Sequence, residues 1–213
     1  MIITYQGAEF VKIQFGDMTI ALNPVSKDSK LPSSRFGADI CLISANHPDF
    51  NGSDLVSHGD KKPIVIDGPG EYESKDVFIQ GFASETEYGG KKSINTIYKI
   101  LLEGMDICFL GAISNPEIKN EVVEALDDID ILFVPIGGDG VLDPAKAYKL
   151  AVLLEPKIII PIHYGDISKN KDALKIFVKE SGDPATPQDK LTLKKKDLEG
   201  KEGDVMVLEA LKS

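Results

Sequence analysis

Short apolar runs separated by turn residues dominate the first half of the chain. They are four to nine residues long and lie between breaks rich in Gly, Asp and Asn, a pattern typical of β-strands. The strands predicted from this pattern cover residues 2–5, 10–15, 19–22, 39–44, 63–66, 77–80, 94–102 and 106–110. The first three are expected to form hairpins, because single turns containing Gly7 and Gly16 separate them.

Helical spacing of apolar residues enters the pattern in the second half. It predicts helices over residues 116–126, 143–154 and 172–180, and Asp143 and Pro144 suit the N-cap and first position of the second helix. Further strands are expected at 129–135, 157–161, 191–193 and 205–208. Two packed sheets with helices outside, a four-layered αββα sandwich of the α/β (α+β) class, fit this order. We expect one domain over 1–213, since no low-complexity linker divides the chain.

Charge and cysteine usage restrict the partners and the compartment. The 34 acidic residues outnumber the 24 basic residues, so the formal net charge is −10, which disfavours nucleic acid as a partner. The chain shows no secretory leader and no apolar stretch near the ~18 residues of a membrane span, so we expect a cytoplasmic protein with no membrane partner. Cys41 and Cys108 lie in apolar runs and are expected to be buried thiols.

The candidate chemistry centres on a His-Pro-Asp turn. His47 and Asp49 directly follow the apolar run 38–44, so a strand end would direct both side chains into one cleft. Neutral imidazole and carboxylate suit zinc, manganese or iron, and a catalytic zinc site commonly has three protein ligands. The chain has only three histidines, His47, His58 and His163, and His58 lies between two turns as a surface residue would.

Several short motifs, in their order along the chain, resemble the metallo-β-lactamase superfamily, in particular its small bacterial branch of zinc-dependent hydrolases. The resemblance covers nearly the whole chain and implies the αββα fold. The motifs are Gly7-Ala-Glu-Phe10, Asn23-Pro24, the segment 38–50, Gly68-Pro-Gly-Glu-Tyr72, Asn95-Thr-Ile-Tyr98, Leu110-Gly111, Val134-Pro-Ile-Gly-Gly138 and Ile160-Pro-Ile-His-Tyr164.

The resemblance also implies which residues would hold metal. The family's His-x-His-x-Asp-His loop reads here Ala45-Asn-His47-Pro-Asp49-Phe50, so two of its four ligand positions are apolar. The resemblance assigns His47 to the first metal, and Asp49 and His163 to the second. Ala112 stands where the family has its bridging aspartate.

One further family histidine has no counterpart after Phe82. There Glu85 or Glu87 could supply an oxygen ligand.

Two functional hypotheses follow from these residues. In the first, the dinuclear site is eroded, and the protein has a non-catalytic binding or scaffold role without a metal. A small-molecule ligand is then possible, and no oligomeric state is indicated. Phe50 would block the cleft if its ring points inward. The cleft's polar edges would be Asn46, Asn51, Ser84, Asp139 and Tyr164.

In the second hypothesis, His47, Asp49 and His163 hold a single zinc, or manganese or iron, and Asp49 takes part in catalysis. Such a site would weakly hydrolyse a small ester, lactone or phosphodiester.

Two further alternatives also involve no metal. A histidine general base could serve Ser44 or Ser114 as a nucleophile. Alternatively, His47 and Asp49 form only a hydrogen-bonded turn, with His163 bonded to Asp49 or to backbone.

Overall fold

The computed structural model describes residues 1–182 and 185–211. It contains thirteen strands and three α-helices, with four short 3-10 helices between them. The α-helices are α1 (Asn120–Ala125), α2 (Pro144–Leu153) and α3 (Ala173–Ser181). The strands are β1 (Ile2–Gly7), β2 (Phe10–Phe15), β3 (Met18–Leu22), β4 (Ile40–Leu42), β5 (Ile64–Ile66), β6 (Gly70–Ser74), β7 (Val77–Thr86), β8 (Ser93–Leu102), β9 (Met105–Phe109), β10 (Ile131–Pro135), β11 (Ile158–Ile162), β12 (Leu191–Thr192) and β13 (Asp204–Val205).

The strands form two sheets. The first has the order β12-β1-β2-β3-β4-β5, in which the hairpins β1 to β3 are antiparallel and β3, β4 and β5 are parallel. The second has the order β13-β11-β10-β9-β8-β7-β6, antiparallel from β6 to β9 and parallel from β9 onward. The parallel strands β4, β10 and β11 are buried on both faces, which explains their uninterrupted apolar sequences.

Three apolar layers hold the sheets and their covers together. Side chains of both sheets, such as Ile20 and Ile107, form the central layer. The three α-helices cover the outer face of the second sheet, where Leu150 and Phe177 are buried. The outer face of the first sheet is covered by loop residues around Phe36 and by the 3-10 helix Ser53–Val56. The mixed α and β architecture with two packed sheets confirms the predicted fold class.

The structure corrects some predicted element bounds. The helix predicted over 116–126 is only six residues long, because the backbone is still extended at Lys119 (φ −61°, ψ 140°), which is the N-cap of α1. Strand β7 runs six residues past its predicted end at Gln80, since it pairs with β8 along its whole length. The predicted strand 205–208 is reduced to β13, which ends at Val205.

Two other expectations are confirmed, the N-cap of α2 and the burial of both cysteines. Asp143 caps α2 through a hydrogen bond from the Lys146 backbone N–H to its carboxylate (3.0 Å). Cys41 and Cys108 are buried free thiols, and burial raises the pKa of each to about 12. In the part of the chain that the structure describes, no helix is both long enough and apolar enough to cross a bilayer.

Candidate functional site

The loop that carries His47 begins at the end of β4 and is held by its own backbone. Ser44 precedes it, and its N–H donates to the Asn23 side chain (2.7 Å). Within the loop, the Phe50 N–H donates to the His47 carbonyl (2.8 Å), and the Ser26 N–H donates to the Pro48 carbonyl (2.9 Å). These bonds fix which side chains of the loop point inward.

His47 and Asp49 form the hydrogen-bonded turn that the sequence suggests. The Asp49 backbone N–H donates to His47 Nδ1 (3.2 Å), and that nitrogen lies 3.6 Å from Asp49 Oδ2. The Asp49 carboxylate also accepts the Tyr88 hydroxyl (2.8 Å) on Oδ2 and the Ser29 hydroxyl on Oδ1. Both of its oxygens therefore have donors from the protein.

His163 lies at the end of β11 in the left-handed conformation, with φ 57°. Its Nδ1 is 3.2 Å from a carboxylate oxygen of Glu9, and both side chains are buried. The other Glu9 oxygen accepts the Asn23 side chain (2.8 Å). His163 is bonded to backbone as expected, since its N–H donates to the Ala8 carbonyl (2.7 Å). Its ring pairs with Glu9 and not with Asp49, because the β1–β2 turn brings Glu9 beneath it.

The phenol ring of Tyr88 touches both candidate metal-binding histidines. Its centroid is 4.8 Å from that of His47 and 5.4 Å from that of His163, with interplanar angles of 89° and 80°. Phe50 packs against the same ring at 4.7 Å. Tyr88 thus occupies the space into which both imidazoles face.

Apolar side chains fill the rest of this space. Ala45, Phe50, Ala112 and Val141 form a buried cluster, and Tyr88 packs against it. Phe50 is 0% exposed, so its ring points inward. In the described residues, no group of three or more His, Cys, Asp or Glu side chains is placed to hold a metal ion. As arranged here, the donor set therefore does not fit the metal that the fold family implies.

Tyr88 is electrostatically suited to remain a neutral phenol. Burial raises its pKa well above the usual value, and the hydrogen bond to Asp49 and the negative charges of Asp49, Glu9 and Asp139 raise it further. Gly140 fixes the backbone at this point, since a Cβ there would lie 2.7 Å from the Tyr88 Cα.

An open cleft of about 730 Å³ lies over the Tyr88 ring. It is lined by His47, Asp49, Glu87, Tyr88, Gly89, Gly90, Lys92, Asp139, Gly140 and Lys169. Of the two glutamates considered from sequence, Glu87 lines the cleft, whereas Glu85 pairs with Lys92 (2.7 Å).

Of the expected polar edges, only Asp139 lines this cleft, where it pairs with Lys169 (2.7 Å). Asn46 and Asn51 bond to each other (2.9 Å), Ser84 bonds to Asn95 (2.8 Å), and the Tyr164 hydroxyl donates to the Leu208 carbonyl.

The remaining candidates lie elsewhere. Ser44 is buried, and its hydroxyl oxygen accepts the Asn23 amide (2.7 Å) and the Ala112 N–H (3.3 Å). The Ser114 N–H donates to the Glu85 carbonyl (3.3 Å). His58 is exposed, as predicted. The metal-binding role of His47, Asp49 and His163, and the catalytic role of Asp49, stay predictions.

Sequence reasoning missed Glu9 and Tyr88. Glu9 had one available signal, an acidic residue between Ala8 and Phe10 in a tight turn, which is unusual for a buried position. Tyr88 had a weaker one, an aromatic residue directly before Gly89-Gly90.

Comparisons with known proteins agree with the fold. The family model described as "Beta-lactamase superfamily domain" matches residues 2–163. A UPF0173 metal-dependent hydrolase from Lysinibacillus sphaericus is 26% identical in an alignment 208 positions long; the alignment covers 83% of this chain and 91% of the relative.

Solved structures give the same result. A protein from Thermotoga maritima, named as a candidate zinc-dependent hydrolase of the metallo-β-lactamase superfamily, superposes with a TM-score of 0.76 at 30% identity and covers 97% of both chains. A candidate metal-dependent hydrolase from Parabacteroides distasonis shares the fold at 20% identity, with a TM-score of 0.66 over 99% of this chain and 93% of that one. The chain therefore belongs to the metallo-β-lactamase superfamily, among its metal-dependent hydrolases.

Proposed function

We propose that this chain is a non-catalytic member of its family and that it uses the cleft over Tyr88 to bind a small polar ligand. One observation carries the proposal: the rings of Tyr88 and Phe50 occupy the space between His47 and His163. Hydrolysis in such a site needs a metal-activated water held between ligands. The two aromatic rings stand between the histidines, where a metal and its bound water would have to lie.

The donors that remain support the same conclusion. Asp49 already accepts hydrogen bonds from two hydroxyl groups, those of Ser29 and Tyr88. A carboxylate whose oxygens both have donors gains less from a cation than an unsatisfied one. Ala45 and Ala112 add methyl groups where the family motif carries ligands.

The cleft supports the binding role. Its volume of about 730 Å³ lies within the usual range for small-molecule sites, roughly 300–1,000 Å³. Charged groups of both signs, including Glu87 and Lys169, stand around it.

Metal analysis and hydrolase assays test the absence of catalysis. Protein purified without chelator is expected to contain substoichiometric zinc, manganese and iron. It should hydrolyse p-nitrophenyl esters, a lactone and bis(p-nitrophenyl) phosphate no faster than His47→Ala and Asp49→Ala variants do. His58→Ala is the matched control, since His58 is exposed and outside the site. Stoichiometric metal together with hydrolysis that both site variants lose, but His58→Ala keeps, would refute the proposal.

Amide chemical shifts test the binding role. A fragment library of small polar molecules is expected to shift the amides of Gly89, Gly90 and Gly140, which line the cleft. Shifts confined to other surfaces would instead favour a scaffold role.

A single-metal hydrolase acting through His47, Asp49 and His163 is the second candidate, and one observation favours it. Histidines that bind metal commonly pair their other ring nitrogen with a carboxylate, as His163 does with Glu9.

A further inference from the structure

Tyr88 contacts all three side chains that the family resemblance assigns to metal. Its ring touches the imidazoles of His47 and His163, and its hydroxyl donates to Asp49 Oδ2 at 2.8 Å. One phenol thereby touches three side chains that are all capable of binding metal.

The hydroxyl takes over the electrostatic role of a cation toward Asp49. A carboxylate removed from water needs either a positive partner or hydrogen-bond donors. The Asp49 side chain is only 16% exposed, and the Tyr88 and Ser29 hydroxyls supply those donors. Tyr88 is therefore not an incidental filler, because without it one oxygen of this carboxylate would lose its donor.

The surroundings of His163 retain the arrangement of a metal ligand. Glu9 engages Nδ1, and so leaves Nε2 as the nitrogen available to a metal. A neighbouring carboxylate of this kind orients the ring and increases its basicity. Glu9 itself is completely buried and tied to Asn23, so this support is rigid.

His47 and Asp49 are spaced as two ligands of one ion. The 3.6 Å between His47 Nδ1 and Asp49 Oδ2 is close to the edge of a tetrahedron with metal bonds of about 2.1 Å, roughly 3.4 Å. Binding there would replace the hydrogen bond that Nδ1 accepts from the Asp49 N–H at 3.2 Å.

We propose that Tyr88 takes the place of the metal in this chain, and that His47, Asp49 and His163 form a latent single-metal site that the Tyr88 side chain keeps closed. The inference rests on the proposed function, because it explains how the family's metal is excluded. It goes further in assigning that exclusion mainly to one removable side chain rather than to the alanines and Phe50.

Cobalt titration of Tyr88 variants tests this inference. Tyr88→Ala removes the ring, and Tyr88→His replaces it with a potential ligand; both are expected to bind one equivalent of Co²⁺ with the visible spectrum of a four-coordinate nitrogen and oxygen site. Wild-type protein and Tyr88→Phe, which keeps the ring, should show no saturable binding. Far-UV circular dichroism identifies which variants are folded, and the two substitutions differ enough in volume that the test does not depend on either alone.

Second substitutions in the Tyr88→Ala background locate the ion. His163→Ala is expected to abolish cobalt binding. Glu9→Gln should weaken it by roughly 10–100-fold through loss of the support to His163. His58→Ala, at an exposed position, should leave it unchanged.

The outcomes separate this inference from the proposed function. If wild-type protein and Tyr88→Phe bind cobalt as tightly as Tyr88→Ala, Tyr88 does not exclude metal and this inference fails, whereas the proposed function is then decided by the hydrolase assays. If folded Tyr88→Ala and Tyr88→His bind no cobalt, the latent site does not exist, whereas the non-catalytic assignment stands.

Discussion

The hydrogen bond between Tyr88 and Asp49 yields a quantitative prediction about stability. Tyr88→Phe removes the hydroxyl and keeps the ring between the two histidines. Hydrogen bonds to charged groups contribute about 1.5–3 kcal/mol, and here Ser29 still donates to the other carboxylate oxygen. We therefore expect the lower end, a loss of about 1.5–2 kcal/mol in the free energy of unfolding. For a chain of this size, that lowers Tm by roughly 3–8 °C.

Urea unfolding of Tyr88→Phe, Asp49→Asn and the double variant measures this interaction directly. The coupling energy should be about 1–2 kcal/mol, because the two side chains share one bond. Tyr148→Phe is the matched control: its half-buried ring packs on Phe177 at 5.7 Å, and its hydroxyl has no hydrogen-bond partner in the described part of the chain. Additive effects within about 0.4 kcal/mol would show that Tyr88 and Asp49 act independently and would remove the basis for treating the hydroxyl as a cation substitute.

Three further predictions concern the core and the pH range. Phe50→Ala should lower the free energy of urea unfolding by about 3–5 kcal/mol, because it leaves a cavity under Tyr88; an effect below 1 kcal/mol would contradict tight packing there. Burial alone would raise the pKa of Asp39, but hydrogen bonds from Lys61 and Lys75 lower it to about 2, below its unfolded value. The ionised Asp39 carboxylate contributes up to about 2 kcal/mol to the free energy of unfolding; this contribution is complete above pH ~4 and is lost as the pH falls toward 2. The free energy of unfolding of Asp39→Asn should therefore depend less on pH in the acid range. The free energy of unfolding should fall above pH ~10, by up to about 1.4 kcal/mol per pH unit for each tyrosine that stays protonated only in the folded state. Burial raises the pKa of four tyrosines, Tyr5, Tyr88, Tyr98 and Tyr164. A Tm that does not change with pH up to pH 12 would contradict these raised pKa values.

Most of the strands could be predicted from the sequence because their signals are local. Residues 131–135 and 158–162 are continuous apolar runs, and such runs belong to strands covered on both faces. The second half of β7 escaped prediction because Gly81 and Ser84 interrupt its pattern, and only pairing with β8 shows that it continues to Thr86. The length of α1 was overestimated, since apolar spacing cannot reveal that the backbone is still extended at Lys119.

The site was predictable only where family motifs name the residues. His47 and Asp49 are two residues apart and meet in a turn, so their contact follows from local sequence. Tyr88 reaches Asp49 across 39 residues, and Glu9 reaches His163 across 154. Those contacts depend on where the loop after β7 and the β1–β2 turn lie in the folded sandwich. Neither periodicity nor spacing carries that information.

The loop around His47 is held in shape by hydrogen bonds from the protein itself. A metal-holding loop commonly gains its shape from ligand bonds, and binding energy of that kind contributes to folding. Here the backbone of residues 45–51 bonds within itself and to Ser26, and Asn23 ties Ser44 to Glu9 beneath the site. At Gly111, φ is +61°, and a Cβ would overlap the Ser44 side chain, so only glycine fits at this position. Each of these constraints is supplied by the protein itself, and together they place the rings of Phe50 and Tyr88. The aromatic cluster of Phe50 and Tyr88 therefore depends on the hydrogen bonds that join Asn23, Ser44 and Glu9 below it. Loss of either group would leave the other without its packing partner.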